Sequence, residues 1–271
     1  VNPVVALLRS SHPGPTLVVT ALGTGLAVAA GATPAAVLLV AAAVLTNQLS
    51  IGIANDMVDA PRDLAAGRRD KPIAAGLVAR RTALIAALAL AVASLAIAAA
   101  LSPVALIADA LLLVGGWLYD LALKATPASA LCYLVGFAAL PSIATGALAE
   151  PRIAGLGATV AAALLGLAAH LANVLPDLDD DRAAGVRGLP QRLGRAGCLV
   201  GCAVLLPATG VALALGAGGH PLALVAAAVA ALAAPAVVLV GRRSGRGAFR
   251  IVMSVALVLV LALVLAGGAL L

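Results

Sequence analysis

Aromatic and charged residues are what this chain has least of. Only five of its 271 residues are aromatic (Trp117, Tyr119, Tyr133, Phe137 and Phe249), and only 10% are charged. A soluble domain carries about 25% charged residues and is about half apolar, whereas 63% of this chain is hydrophobic. Surface-to-volume scaling leaves any water-soluble fold with a large polar surface, so the composition excludes a soluble globular enzyme and makes lipid the natural solvent. Cysteine is scarce as well. Cys132, Cys198 and Cys202 form no metal-ligand spacing, and Cys198 and Cys202, four apart, read as small buried helix residues. No polar or low-complexity linker interrupts the chain, so a single domain over 1–271 is expected.

Uninterrupted apolar sequence is abundant. Runs near the roughly 20 residues needed to cross hydrocarbon recur at about 16–32, 34–54, 82–100, 103–121, 128–148, 153–174, 197–217, 221–241 and 250–270. Lipid offers the backbone no hydrogen-bond partner, so each run must be a helix or a barrel strand. Continuous Ala/Leu/Val without alternation excludes the strand. The expected fold is an all-α integral membrane protein, a bundle of about nine transmembrane helices. The first run lacks a cleavage site and reads as a retained span rather than a signal.

The placement of charge gives the orientation. Arg9, the basic residues of 62–81, Lys124, those of 182–195 and those of 242–250 share one side if the helices alternate, and only Arg152 does not. Short loops rich in Lys and Arg stay cytoplasmic. The N-terminus and these loops are therefore expected inside a cell membrane and the C-terminus outside. The net charge of +6 is then a topology signal, and no nucleic-acid partner is expected.

Eight of the eleven acidic residues sit in two of those loops, 56–81 and 176–196; the others are Asp109, Asp120 and Glu150. Each loop follows the second helix of a four-helix series, which gives a weak four-plus-four internal repeat with a ninth helix added. Repeated membrane folds commonly place their site at the repeat interface. The loops carry Asn55-Asp56-Met57-Val58-Asp59-Ala60-Pro61-Arg62-Asp63 and Asn173-Val174-Leu175-Pro176-Asp177-Leu178-Asp179-Asp180-Asp181. Both contain Asn-x3-Asp-x3-Asp. Steps of four return to nearly the same helix face, predicting one stripe of Asn55, Asp59 and Asp63 and another of Asn173, Asp177 and Asp181, each bent by its proline, Pro61 or Pro176.

Stacked carboxylates repel one another and need a positive partner. Magnesium is hard, prefers oxygen, and is usually held by one or two carboxylates together with phosphate oxygens. Two facing stripes therefore suit a diphosphate bridged to the protein by metal ions. Arg68, Arg69 and Lys71 follow the first motif, Arg182, Arg187 and Arg192 follow the second, and Lys124 lies between them. Such groups stabilise phosphate oxygens and a departing diphosphate, although the positive-inside rule accounts for the same residues.

These segments resemble the UbiA superfamily of intramembrane prenyltransferases. Asn55–Gly76, closed by Asp70-Lys71-Pro72-Ile73-Ala74-Ala75-Gly76, resembles its first signature. Asn173–Gly194, including Gly185-Val186-Arg187-Gly188-Leu189-Pro190, resembles its second, in the form seen in menaquinone-type members. Tyr119-Asp120-Leu121-Ala122-Leu123-Lys124 is similar to its short tyrosine-to-lysine motif. Lys71 stands where many members have arginine, and Asp120 where serine is commoner.

The resemblance implies a magnesium-dependent prenyltransferase whose donor is a prenyl diphosphate and whose acceptor is a small molecule, aromatic in the reading adopted here. It implies Asn55, Asp59, Asp63, Asn173, Asp177 and Asp181 as Mg2+ ligands, with the four aspartates catalytic. Arg69, Lys71, Tyr119, Lys124 and Arg187 would contact the diphosphate. No residue selects among aromatic acids, naphthoates, quinone precursors and sugar or glycerol phosphates as acceptor, none sets the prenyl length, and the oligomeric state is not legible.

Two other readings stand beside this one. A terpene cyclase on the same scaffold would steer its cation with aromatic faces, and so few aromatics argue against it. A transporter would place its ionisable groups near the midplane rather than at helix ends. Asp109, in mid-span where an acid costs roughly 2.5–3.5 kcal/mol to insert, is either a structural hydrogen-bond partner or part of an acceptor pocket. His170 is either a packing histidine or a base, and Asn47 and Gln48 either bind an acceptor or tie helices together.

Overall fold

Proline opens much of this structure. Its fixed φ suits the first helical turn, where its missing N–H is not needed, and Pro3, Pro13, Pro34, Pro103 and Pro221 each begin a helix. The computed structural model describes residues 2–65, 67–68 and 70–266. Its elements are α1 (Pro3–Ser10), α2 (Pro13–Ala29), α3 (Pro34–Ala65), α4 (Arg80–Leu101), α5 (Pro103–Leu118), a π-helical turn (Tyr119–Leu123), α6 (Ser129–Thr145), α7 (Leu156–Val174), α8 (Leu178–Ala183), α9 (Leu189–Gly216), α10 (Pro221–Gly241) and α11 (Gly245–Ala266). Among the described residues, seven helices are long and apolar enough to cross a membrane: α3, α4, α5 with its π turn, α7, α9, α10 and α11. Two apolar helices of 17 residues, α2 and α6, are shorter.

The long helices form a closed ring. Each packs on its neighbours in chain order from α2 to α11, with α7 meeting α9 directly, and α11 returns to pack on α2. Small residues permit the closest crossings. A Cβ built on Gly157 of α7 would lie 2.4 Å from the Cα of Gly216 in α9, so only glycine fits that contact. In lipid such backbone approach replaces the hydrophobic drive that holds helices together in water.

Several polar groups buried in the bundle are paired across helices. Asn47 of α3 donates through Nδ2 to Asp109 Oδ1 of α5 at 2.9 Å and to the Asp109 carbonyl at 3.1 Å. Ser94 of α4 also hydrogen-bonds the Asp109 carboxylate. Trp117 Nε1 donates to Ser50 Oγ at 3.1 Å, and Ser50 Oγ donates to the Ala87 carbonyl at 2.8 Å. Asp109, Asn47 and Ser94 are fully buried. Asp109 is thus a structural partner tying three helices.

The two acidic motifs emerge differently. α3 continues as helix through Pro61 to Ala65, carrying the whole first motif beyond the apolar run. α7 stops at Val174; a turn follows, and Asp177 sits at the N-cap of the short α8. The expected single helical stripe of Asn173, Asp177 and Asp181 is therefore corrected to a helix end, a cap and a second helix. Pro176 explains the break: it has no N–H to donate and disfavours helical backbone in the residue before it. Pro61 lies in the last turns of α3, where the carbonyl it leaves without a partner is near the helix end.

Candidate functional site

Asn55, Asp59 and Asp63, four residues apart on α3, line one wall of a cavity of about 280 Å³. Asn173 from the end of α7, Asp177 from the cap and Asp181 from α8 line the same cavity. Two segments more than a hundred residues apart thus meet at one end of the bundle, although their roles follow from chemistry rather than from position alone.

Two arginines join the motifs. Arg62 Nη2 lies 3.1 Å from Asp59 Oδ2, and its Nη1 lies 3.5 Å from Asp181 Oδ1. Arg68 Nη1 is 3.7 Å from Asp63 Oδ1 and 3.7 Å from Asp177 Oδ1. Each guanidinium spans from one motif to the other, a use that suits its rigid fork of donors. Lys124, just after the π turn, pairs with Asp59. Lys71 Nζ lies 3.0 Å from Asp56 Oδ1 and 3.4 Å from His12 Nε2.

The other expected residues divide. Lys71, Tyr119 and Lys124 line the cavity. Arg187 is exposed and is not part of the cavity wall; its carbonyl accepts from Arg192 Nε at 3.0 Å. Arg69 lies outside the described residues. His170 is buried behind the wall, stacked on Tyr133 with centroids 4.5 Å apart and with Nε2 3.1 Å from Ser129 Oγ. Gln48 lines the cavity, whereas Asn47 does not.

Several lining residues escaped the reading of the sequence. Arg62 sits inside the first motif, three residues after Asp59, and that spacing was a usable signal. Gln191 donates through Nε2 to Asp181 Oδ2 at 3.0 Å. His12 reaches the cavity from the turn between α1 and α2, with φ 53° and ψ 67°. A left-handed conformation is costly for a non-glycine residue and persists only where its surroundings impose it. Burial and the neighbouring Lys71 ammonium lower the His12 pKa, partly opposed by Asp56, Asp59 and Asp177. The neutral ring accepts from Lys71 through Nε2. Nothing in the local sequence around His12 announced this.

The electrostatics favour added positive charge. Burial pushes the Asp181 carboxyl up from its ordinary value; Arg62 opposes this, Asp177 reinforces it, and Gln191 and Lys124 oppose it further. Among the described residues no three His, Cys, Asp or Glu side chains converge to hold a metal unaided. The oxygen-only donors instead fit a magnesium ion shared with phosphate, which needs only one or two carboxylates from the protein.

Much of the remaining cavity wall is apolar. Val19, Ile51, Leu112 and Met253 face it, as do four of the five aromatic residues: Tyr119, Tyr133, Phe137 and Phe249. Tyr119 and Tyr133 meet edge to face at 5.2 Å, and Tyr133 stacks with Phe137 at 6.2 Å. Such a chamber can take an amphiphile, with its polyanionic head among the Asp, Arg and Lys side chains and its tail among the helices.

Solved structures share this architecture. A UbiA homologue from Aeropyrum pernix in its apo form aligns at a TM-score of 0.71 with 22% identity, covering 93% of this chain and 96% of its own. A UbiA homologue from Archaeoglobus fulgidus, bound to DMAPP and Mg2+, aligns at 0.72 with 17% identity, covering 95% and 98%. A structure of digeranylgeranylglyceryl phosphate synthase aligns at 0.71 with 15% identity, covering 100% and 99%. At these identities the likeness speaks for the fold. No curated protein sequence matches the chain. The sequence profile of the UbiA prenyltransferase family, however, matches residues 16–258, and with that match over most of its length the chain belongs to the UbiA prenyltransferase family, a family of multi-pass membrane proteins.

Proposed function

We propose that the protein ionises a prenyl diphosphate with the help of Mg2+ and transfers the prenyl group to a small-molecule acceptor, aromatic in our reading. The observation that carries this is the meeting of two Asn/Asp motifs with Lys71, Lys124 and Tyr119 around one cavity whose remaining walls are largely apolar. Archaeoglobus fulgidus homologues bound to DMAPP and Mg2+ and to GPP and Mg2+ support the donor class.

Asn55, Asp59, Asp63, Asn173, Asp177 and Asp181 would hold Mg2+. When bound, Mg2+ neutralises the diphosphate and makes it a better leaving group. The chain's own cations act alongside. Lys71 and Lys124, with Arg68, donate to the phosphate oxygens and stabilise charge as it builds on the departing diphosphate. Asp56 and His12 hold the Lys71 ammonium at the cavity. The apolar wall takes the prenyl chain and keeps water from the cation, and the faces of Tyr119, Tyr133 and Phe137 offer it a weak electrostatic partner.

The topology completes the proposal. A single domain spans the membrane nine times, with α2 and α6 as the short spans and a four-plus-four repeat ahead of α11. The N-terminus and both motifs lie on the cytoplasmic side of the cell membrane and the C-terminus outside. Asp59→Ala and Asp177→Ala should each abolish prenyl transfer while leaving membrane insertion intact, and full turnover by either purified variant would defeat the assignment.

Intramolecular cyclisation is the second reading. The concentration of four of the five aromatic residues at the cavity favours it, since cyclases steer cations with aromatic faces. Mass spectrometry of products decides between the two: a terpene hydrocarbon or alcohol formed without acceptor supports cyclisation.

A further inference from the structure

Asp120 is the member of the tyrosine-to-lysine segment to which prenyl transfer gives no task. It lies in the π-helical turn and is 2% exposed. π turns are rare and recur at functional sites. Asn55 Nδ2 donates to Asp120 Oδ1 at 2.6 Å. Among the described residues, Asp120 Oδ2 has no hydrogen-bond partner, so the bond to Asn55 is the principal tie of this carboxylate.

The chemistry of the pair is directional. A carboxylate only accepts, whereas a primary amide donates through nitrogen and accepts through oxygen. Only the amide oxygen of Asn55 can ligate a cation. The terminal torsion of asparagine is broad and roughly two-fold, so an unrestrained side chain presents N–H as readily as oxygen. With Nδ2 committed to Asp120, that ambiguity is removed and Oδ1 is left for the cavity that Asn55 and Asp59 share. The same stretch of chain also fixes Asp59, through Lys124 at the end of the π turn.

We propose that Asp120 is a positioning residue that locks the Asn55 amide with its oxygen toward the magnesium–diphosphate site. The proposal rests on the functional reading above. Outer partners of metal ligands typically change metal affinity by about 10–100-fold when removed.

The test is a Mg2+ titration with inorganic pyrophosphate, read as thermal stabilisation of the purified protein in detergent. Asp120→Leu keeps the approximate size and removes the acceptor, whereas Asp120→Asn keeps an acceptor oxygen. We expect half-saturating Mg2+ to rise by about 10–100-fold in Asp120→Leu and by less than about threefold in Asp120→Asn. In an Asn55→Ala background, Asp120→Leu should cause no further rise, as for two residues acting through one contact. Asp120→Ala serves the same purpose if the leucine variant does not accumulate. A purely structural Asp120 would lower the starting melting temperature and leave half-saturating Mg2+ unchanged, which overturns the proposal. So does equal weakening by leucine and asparagine. A wild-type protein that Mg2+ and pyrophosphate fail to stabilise overturns the functional reading along with it; a normal wild-type response with an unshifted leucine variant removes the positioning role alone.

Discussion

Removing Arg62 should weaken the fold, and magnesium with pyrophosphate should restore most of what is lost. The Arg62 guanidinium lies 3.1 Å from Asp59 and 3.5 Å from Asp181. At an effective dielectric near 20, unit charges at such separations attract by about 5 kcal/mol each before desolvation and side-chain entropy are counted. The Arg62 side chain is 30% exposed and its partners 13% and 18%, which places the pairs between exposed bridges of about 0–1 kcal/mol and charged hydrogen bonds of about 1.5–3 kcal/mol. Arg62→Ala also leaves Asp59 and Asp181 facing each other with less positive charge between the motifs. A net loss of about 2–3 kcal/mol follows, or about 4–12 °C in melting temperature for a chain of this size. The assay is thermal unfolding in detergent, with EDTA and then with Mg2+ and pyrophosphate. The bound ions supply the missing charge, so the gap between wild type and variant should shrink to below about 1 kcal/mol. An identical gap in both conditions, or none in EDTA, would refute the claim that arginine and metal answer the same repulsion.

Lys124→Met should reduce prenyl transfer by about 100-fold or more, the usual effect of deleting one oxyanion donor, with the protein still found in the membrane fraction; steady-state kinetics on a prenyl diphosphate measure this. A Cβ on Gly52 would lie 2.3 Å from the Ser11 carbonyl oxygen, so Gly52→Ala should push α1 and His12 from the cavity at a cost of about 1–3 kcal/mol. Faster proteolysis between α1 and α2 would register it. His12 has its pKa lowered from 6.5 in the folded protein. The unfolded chain therefore binds the extra proton first as pH falls, and stability is lost below 6.5 until the folded-state pKa is reached. His12→Asn should flatten that part of the stability profile, and an unchanged slope would count against a neutral, half-buried His12.

The first motif was legible because a helix converts four-residue spacing into a face, and α3 stays helical through Asp63. The second was legible as chemistry but not as geometry: Pro176 breaks the periodicity, so Asp177 and Asp181 reach the cavity from a cap and a new helix. Arg187 illustrates a further limit. Its loop follows Gly185 at φ 81° and precedes a break at Gly194 with φ 72°, and no pattern of polarity foretells where such a loop points. Arg62 was masked by a competing cause, since every basic residue near these helix ends already fitted the topology rule. His12 depends on the N-terminal segment folding back beside Lys71, a meeting across 59 residues that composition does not encode. Asp109 was placed correctly as a buried group, but its choice of Asn47 and Ser94 as partners needed the packing of three helices.

The contact between α11 and α2 has a consequence for biogenesis. Phe249 and Met253 of α11 form part of the chamber wall, yet α11 leaves the ribosome after every helix it closes upon. Until it inserts, the chamber is a trough facing lipid, its acidic rim assembled but one side missing. Ribosome-stalled chains ending before residue 245 should therefore hold both motifs in the membrane and remain catalytically silent.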